Sequence, residues 1–206
     1  MSQTQTDTVL DRPTQILDAA VACFAKRGFH QASMHDISAE AGISVGLIYR
    51  YFQNKEAVIA AMADRHKKQI HEILERARQA RSLRESLETL FTAHCGEAEP
   101  QVTAAFVVDL FAEASRNPHV AELVRDVCET AMNGVTDLIA RSPEAKGSDL
   151  SPREMAELIF AVNDGTLLRE VLKVGQTSSD RRERQLEVVR NLWRLLFKKP
   201  TEPAYA

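Results

Sequence analysis

Apolar residues recur at intervals of three and four along nearly the whole chain, and this periodicity restricts the fold more than any other feature. In the first segment that shows it, the residues sharing one helical face are Ile16, Leu17, Ala20, Val21 and Phe24. No stretch shows the apolar–polar alternation typical of a strand, and no short internal repeat is present. We therefore expect an all-α fold of about nine helices.

Local signals divide the first part of the chain into three helices. Pro13 suits the first turn of a helix, and Gly28 suits its end. Ser33, followed by Asp36 three residues later, has the arrangement of a capping box and predicts the start of a second helix. A third, short helix is expected at 44–52.

The rest of the chain is expected to form six longer helices around one clear loop. That loop is 142–152, which is rich in Pro, Gly, Ser and charge. The first and last few residues offer too little apolar surface to offset the entropy of ordering, so we expect disordered tails at 1–9 and 200–206. The predicted helices lie at 55–81, 82–95, 99–115, 118–141, 152–174 and 180–198.

The third helix divides into two chemically different faces. At about 100° per residue, Ile48 and Phe52 share one face and, with Ile43 just ahead of the helix, are expected to pack into the core. The opposite face presents Gly46, Tyr49 and Arg50, with Val45 and Leu47 on its flanks.

A glycine inside so short a helix costs roughly 1 kcal/mol relative to alanine. The cost is explained if something outside the protein approaches the backbone closely. The preceding "AEAGIS" supplies a short glycine-containing turn between two short helices, which is the helix-turn-helix arrangement. In that motif the second helix enters the DNA major groove, so we expect a helix-turn-helix at about 33–52.

The stretch "ILDAAVACFAKRGFHQASMHDISAEAGISVGLIYRYFQNKEAVIAAM" resembles the DNA-binding domain of the TetR family of bacterial transcriptional regulators. The resemblance implies a three-helix DNA-binding bundle at 10–56 and a larger helical ligand-binding and dimerisation domain at 57–199. On the recognition helix it places Ser44, Val45, Gly46, Leu47, Tyr49 and Arg50. At phosphates it places Ser33, Tyr49, Tyr51 and Lys55.

The physical chemistry of these positions agrees with the resemblance in part. Ser33 and Lys55 lie at predicted helix N-termini, where free N–H groups and the helix dipole favour an anion. Val45 and Leu47 depart from the polar residues found in many relatives, and either contact thymine methyl groups or pack internally. For Tyr51, a core role and a phosphate role both stay open.

The resemblance also implies a small-molecule pocket among the later helices. Its candidate lining residues are Phe106, Asp109, Leu110, Glu113, Phe160, Asn163 and Asp164. If their carboxylates reach a buried cavity, a cationic ligand is favoured, because an unpaired buried carboxylate is costly. The alternative is a solvated acidic face.

A single helix-turn-helix binds DNA weakly, and proteins of this kind usually double it by two-fold symmetry. The last two predicted helices are strongly apolar and are the candidates for the dimer contact. The residues expected in this seam are Leu192, Trp193, Leu196 and Phe197. Core packing within one chain is the alternative for them.

Other classes of protein find no support in the chain. No nucleophile elbow, phosphate loop or dinucleotide fingerprint is present, so we expect neither an enzyme nor a cofactor. Cys23, Cys95 and Cys128 are expected as small buried residues, and the six histidines form no metal motif. No apolar run approaches 18 residues, so we expect a cytoplasmic protein with no membrane partner.

These observations predict a sequence-specific DNA-binding regulator, a homodimeric, ligand-responsive repressor acting on a near-palindromic double-stranded operator. The net charge of −3 gives no global basic signal, but the first 81 residues carry a small basic excess and the remainder an acidic one. Two alternatives stay open. One is an activator of the same family, and the other is a helical adaptor that binds proteins rather than DNA.

Overall fold

The computed structural model describes residues 11–94, 104–146, 148–172 and 181–197. Within these ranges every regular element is helical, which confirms the expected all-α class. A 3-10 turn, Pro143–Ala145, lies in the predicted loop. The α-helices are α1 (Arg12–Arg27), α2 (Met34–Ala41), α3 (Val45–Tyr49), α4 (Lys55–Arg78), α5 (Leu83–His94), α6 (Ala104–Ala114), α7 (Pro118–Arg141), α8 (Pro152–Val171) and α9 (Arg181–Leu196).

The predicted helix boundaries agree with the observed ones at most ends. α7 has the predicted bounds, whereas α4 ends at Arg78 and α8 at Val171, three residues earlier than expected in each case. The tails at 1–9 and 200–206, and Cys95, lie outside the described residues. None of the helices in the described ranges combines the length and apolar character needed to cross a membrane.

α1 forms because its sequence supplies both ends and one continuous apolar face. A proline occupies its first turn, and Gly28 ends it with φ 77°, a left-handed conformation that favours glycine. The amide of Gly28 donates to Phe24 O at 2.8 Å. Burial of a large apolar side chain contributes about 1.5–3 kcal/mol. The buried face comprises Ile16, Leu17, Ala19, Ala20, Val21, Cys23 and Phe24.

α2 begins with the predicted capping box. The amide of Asp36 donates to Ser33 Oγ at 3.2 Å, and the amide of Ser33 donates back to Asp36 Oδ2 at 3.0 Å. Gly42 ends α2 in the left-handed region at φ 65°. The next amide, that of Ile43, donates back to Ser38 O at 3.1 Å and so fixes the turn between α2 and α3.

α3 is shorter than the predicted 44–52, spanning only five residues. Ser44 caps it, since its Oγ accepts from the amide of Leu47 at 3.2 Å. Beyond Tyr49 the chain tightens, and the amide of Phe52 donates to Ile48 O at 2.9 Å. This tight turn carries Phe52 into the core, where only 8% of it is exposed.

The chain divides into two compact units, residues 1–63 with 100–121, and residues 64–99 with 122–206. The first unit holds α1 to α3, the start of α4 and also α6. Within this unit α6 contacts α1. The expected domain boundary at 56/57 stays a prediction. The ring of Phe106 on α6 stacks on Phe24 of α1 with centroids 6.1 Å apart.

The second unit has two apolar clusters of its own. The first joins α5, α7, α8 and α9 through Leu83, Leu87, Val135, Ile139, Met155, Ala156 and Trp193. The second joins α4 to α7 through Ile70, Leu74, Ala77 and Leu138. At the corner between α4 and α5, the Ser86 hydroxyl donates to Ala77 O at 2.8 Å, which satisfies a carbonyl near the end of α4.

Candidate nucleic-acid interface

α2, the turn at Gly42 and α3 together form a helix-turn-helix, and α3 presents two distinct sides. Ile48 is fully buried, whereas Tyr49 is 51% exposed. Gly46 and Arg50 are exposed as well. Ile48 therefore holds α3 in the core. The opposite side of α3, with Gly46, Tyr49 and Arg50, faces solvent.

The glycine at position 46 is not required by the packing of the chain. A β-carbon built there meets no atom within 4 Å, and the backbone angle is an ordinary helical one. The protein would therefore accept a better helix former at this position. A glycine that folding does not need suits a surface that another molecule approaches closely.

The flanking residues of α3 are intermediate between core and surface. Val45 and Leu47 are partly buried, so each leaves part of an apolar side chain available to a ligand. Tyr51 is 44% exposed, which leaves it accessible to solvent. Ser44 is exposed, although its hydroxyl oxygen is used in the helix cap.

Ser33 is exposed at the N-terminus of α2, but its polar groups already have an internal partner. Its hydroxyl donates to Asp36 Oδ2 at 2.5 Å. These hydrogen bonds from the Ser33 side chain and backbone hold the pKa of Asp36 below its usual value, and Arg27, with NH1 2.9 Å from the carboxylate, lowers it further. The α2 terminus therefore carries a carboxylate that neutralises part of the helix dipole.

Lys55, expected at a phosphate, makes internal contacts in the structure. Its Nζ donates to Phe29 O at 2.7 Å, His30 O at 3.3 Å and Ala32 O at 3.0 Å. It also lies 4.3 Å from the centroid of the Phe29 ring. An ammonium group has three N–H donors, so these carbonyls use its whole capacity. Its role at a phosphate stays a prediction, and the observed role is to hold the α1–α2 turn.

Three of the four α6 residues expected around an effector have partners within the first unit. Phe106 is buried against Phe24, and Asp109 Oδ2 accepts a hydrogen bond from the amide of Phe29 at 2.5 Å. Glu113 is buried and accepts from the side-chain amide of Asn117 at 3.3 Å. Leu110 on the same helix is partly buried. The part of these four residues in an effector site stays a prediction.

The remaining effector candidates lie on α8 in the second unit, so the predicted set does not form one cluster within either unit. Phe160 packs against the apolar cluster that contains Trp193. Asn163 is partly buried. Burial by neighbouring groups raises the pKa of the Asp164 carboxyl.

Cys128 of α7 differs from expectation, because it is exposed rather than a buried core residue. Desolvation, with a smaller contribution from the negative charge of Asp164, raises the pKa of the Cys128 thiol. Cys23 is buried as expected, and burial raises its pKa too. In the described ranges, no group of three or more His, Cys, Asp and Glu residues is placed to hold a metal ion.

The residues predicted for the dimer seam differ in burial. Trp193 is only 5% exposed and belongs to an apolar cluster of its own chain, which favours the core-packing alternative, and its part in a dimer seam stays a prediction. Leu192, Leu196 and Phe197 are partly buried. Among the described side chains from α8 onward, the large apolar ones that are exposed are Leu158, Leu168, Leu172, Val188 and Leu195.

The exposed residues of α8 form a stripe that the sequence analysis missed. Leu158, Ala161, Gly165, Leu168 and Leu172 are all exposed, and they recur at alternating intervals of three and four. That spacing places them on one face of the helix, and it could have been read directly from the sequence. We call these five residues the α8 stripe.

A short helix anchored at its back, preceded by a capped helix and a glycine turn, defines a helix-turn-helix DNA-binding protein. Comparison with known proteins leads to the same class. Residues 16–62 match the family described as bacterial regulatory proteins, tetR family, and residues 79–194 match the BetI-type transcriptional repressor C-terminal family. The chain belongs to the TetR family of bacterial regulatory proteins.

Individual relatives support this assignment over most of the chain. The transcriptional regulator UidR of Escherichia coli strain K12 is 33% identical over 180 residues, covering 81% of this chain and 85% of UidR. The nicotine-responsive transcriptional repressor HdnoR of Paenarthrobacter nicotinovorans is 25% identical over 166 residues, covering 79% and 84% of the two chains. The structure of Salmonella enterica GusR aligns with a TM-score of 0.72 and 25% identity, covering 94% of this chain and 99% of GusR.

The predicted function is confirmed at the level of the family. The chain is a DNA-binding transcriptional regulator of the TetR family with a C-terminal domain of the BetI-type repressor family. The relatives compared above are transcriptional regulators.

Proposed function

We propose that this chain represses transcription by binding a near-palindromic operator as a homodimer, and that a small molecule ends this binding. The observation that carries the proposal is the exposed side of α3. Gly46, Tyr49 and Arg50 face solvent there, while Ile48 behind them is fully buried. Such a helix keeps its orientation while its outer side enters the major groove.

Base recognition is assigned first to Arg50. A guanidinium group donates two parallel hydrogen bonds to O6 and N7 of guanine, a contact worth about 1–3 kcal/mol of discrimination. The partly buried Val45 and Leu47 supply apolar surface that matches thymine methyl groups. Gly46 lets the backbone of α3 approach the base edges.

Phosphate contacts are assigned to Tyr49 and Tyr51, whose side chains are exposed on and just after α3. Phenolic hydroxyls donate to phosphate oxygens and position the protein without reading sequence. Ser33 is exposed at the start of α2 and is a further candidate. Lys55 contributes chiefly by holding the backbone near these groups, given its three internal carbonyl partners.

The homodimer is proposed to form through α8 and α9. The α8 stripe exposes three leucines, and α9 adds Val188 and Leu195. Exposed apolar surface of this extent is characteristic of an interaction site. A second copy is the favoured occupant because two helix-turn-helix motifs related by two-fold symmetry match a near-palindromic operator. Ala161 and Gly165 within the stripe would let two helices approach closely.

The effector is assigned to the second unit, where Phe160, Asn163 and Asp164 of α8 are the remaining candidate contacts. Burial raises the pKa of Asp164, so a cationic group beside it would favour the ionised carboxylate. The relative HdnoR is described as nicotine-responsive, and nicotine carries a basic amine. A thermal-shift series of small amines, with neutral and anionic analogues as controls, tests this class, because a ligand that prefers the folded state raises the melting temperature.

A mobility-shift titration with DNA from upstream of the protein's own gene tests the proposal. Operator binding should weaken steeply as salt rises, because phosphate contacts release counterions. Arg50→Ala should reduce the preference for operator over unrelated DNA by roughly 5- to 150-fold. Arg125→Ala, an exposed arginine on α7, is the matched control and should leave it unchanged. Absent or salt-insensitive binding by the wild type would favour a protein-binding adaptor instead.

A further inference from the structure

The turn between α1 and α2, residues 28–32, is held from two sides by charged groups that lie far away in the sequence. On one side, the amide of Phe29 donates to Asp109 Oδ2 of α6 at 2.5 Å, across 80 residues of chain. On the other, Lys55 at the start of α4 donates to Phe29 O, His30 O and Ala32 O. One amide of this turn thus donates to the carboxylate of Asp109, and three of its carbonyls accept from the ammonium group of Lys55.

Gly28 lies beside Asp109 at the start of the turn. It has φ 77°, and a β-carbon there would lie 3.4 Å from Asp109 Oδ2, an ordinary van der Waals contact. The glycine is therefore favoured by the left-handed backbone rather than by lack of space beside the carboxylate. The backbone passes from α1 into the turn at Gly28, which lies beside Asp109 of α6.

Aromatic and ionic contacts extend the same attachment. Phe29 packs edge-on against Phe24 at 5.3 Å between centroids, and Phe24 stacks on Phe106 of α6. One turn further along α6, Glu113 Oε2 lies 4.0 Å from His30 Nδ1 and 3.9 Å from Arg116. α6 thus contacts the turn directly through the Asp109 hydrogen bond and the Glu113–His30 approach, and indirectly through the ring of Phe24.

The turn leads directly into the DNA-binding surface. Ser33, the cap of α2, follows Ala32, which is itself a carbonyl partner of Lys55. We propose that Asp109 is a positioning residue for DNA binding, which fixes the α1–α2 turn and thereby sets the orientation of the α2 N-terminus. This inference rests on the proposed function. It adds α6 to the helices that position α2 and α3 for DNA binding.

The contact itself is tested on the full-length wild-type protein by hydrogen exchange. The amide of Phe29 should be protected like the helical amides of α1. Exchange at the rate of a free loop amide would overturn the proposal, whatever the behaviour of any variant. Because this measurement uses only the wild type, it does not depend on a substituted protein folding.

The functional role is tested with Asp109→Ala, Asp109→Asn and the control Asp137→Ala. Asp137 is an exposed aspartate of α7. Asp109→Ala should weaken operator binding about tenfold or more, as expected when a buried amide loses its acceptor. Asp109→Asn keeps an oxygen acceptor and should restore most of the affinity. The control should bind as the wild type does.

The salt dependence separates positioning from direct contact. Asp109→Ala removes no phosphate contact, so the slope of log affinity against log salt should equal that of the wild type, although the affinity is lower. Unchanged affinity, or no rescue by Asp109→Asn, would contradict the inference while leaving the proposed function intact. Lack of salt-dependent DNA binding by the wild type would remove both.

Discussion

A β-carbon added to Gly134 of α7 would lie 2.2 Å from Cδ1 of Leu74 on α4, and 3.0 Å from its Cγ. Leu74 is 3% exposed and belongs to an apolar cluster, so a shift of its side chain would disturb that packing. α4 and α7 therefore approach each other at this point only because position 134 has no side chain.

Gly134→Ala should lower the free energy of unfolding. Overpacking a core costs about 1–3 kcal/mol, which outweighs the gain of up to about 1 kcal/mol from the helix propensity of alanine. Urea unfolding, at one protein concentration, measures the difference. Gly46→Ala is the matched control, because its β-carbon meets nothing, and it should cause no loss of stability.

Gly46→Leu should separate folding from DNA binding. Leucine is a better helix former than glycine, and nothing within 4 Å of the new β-carbon opposes it, so the melting temperature should not fall. Operator affinity should decrease at least about tenfold if the helix backbone must approach base edges. A variant that binds the operator as tightly as the wild type would show that α3 does not approach DNA at this residue.

Lys55→Met should destabilise the protein, because three carbonyls of the α1–α2 turn lose their donor. DNA affinity should fall along with stability, while the salt slope should stay at the wild-type value. A decrease of about 1 in that slope would indicate instead that Lys55 contacts a phosphate directly. Lys68→Met, on an exposed lysine of α4, is the control for the loss of one positive charge.

The capping carboxylate of Asp36 predicts a pH dependence of stability. Its pKa is lower in the folded protein than the ordinary value of 3.8, so below that value the unfolded chain binds more protons. The stabilisation should be complete above pH 3.8 and should be lost as the pH falls through the folded pKa. In Ser33→Ala, unfolding curves between neutral and acid pH should show a smaller decline, and an unchanged decline would argue against this origin.

Leu168→Glu should convert the proposed dimer to a monomer. The substitution places a charge in the centre of the α8 stripe, where a second copy would have to desolvate it. Analytical ultracentrifugation measures the mass directly. Ala140→Glu, at an exposed position on α7, is the control for added charge. A wild-type protein that is monomeric at micromolar concentration would rule out the proposed seam.

The first three helices could be predicted closely because residues near their ends cap or terminate each helix. Ser33 with Asp36 and Gly42 marked α2 within a residue of its observed bounds. The two sides of α3 followed from helical periodicity alone, since Ile48 is buried and Tyr49 exposed as expected. Only the length of α3 was wrong, because the tight turn after Tyr49 carries no local signal.

The roles of Asp109, Lys55 and Trp193 could not be predicted, since each depends on a partner distant in sequence. An acidic residue on a helix has the same pattern whether it lines a cavity or accepts a hydrogen bond from a turn 80 residues away. Likewise an apolar residue such as Trp193 suits either a core or a seam. Tertiary packing decides between these roles, and periodicity does not report it.

The placement of α6 in the first unit has a practical consequence for building hybrid regulators. A chimera that grafts only residues 11–63 onto another effector module would leave behind the carboxylate that binds Phe29 and the ring that stacks on Phe24. If Asp109 positions α2 as proposed, a biosensor that takes over the operator preference of this protein should carry both residues 11–63 and α6, rather than one N-terminal segment.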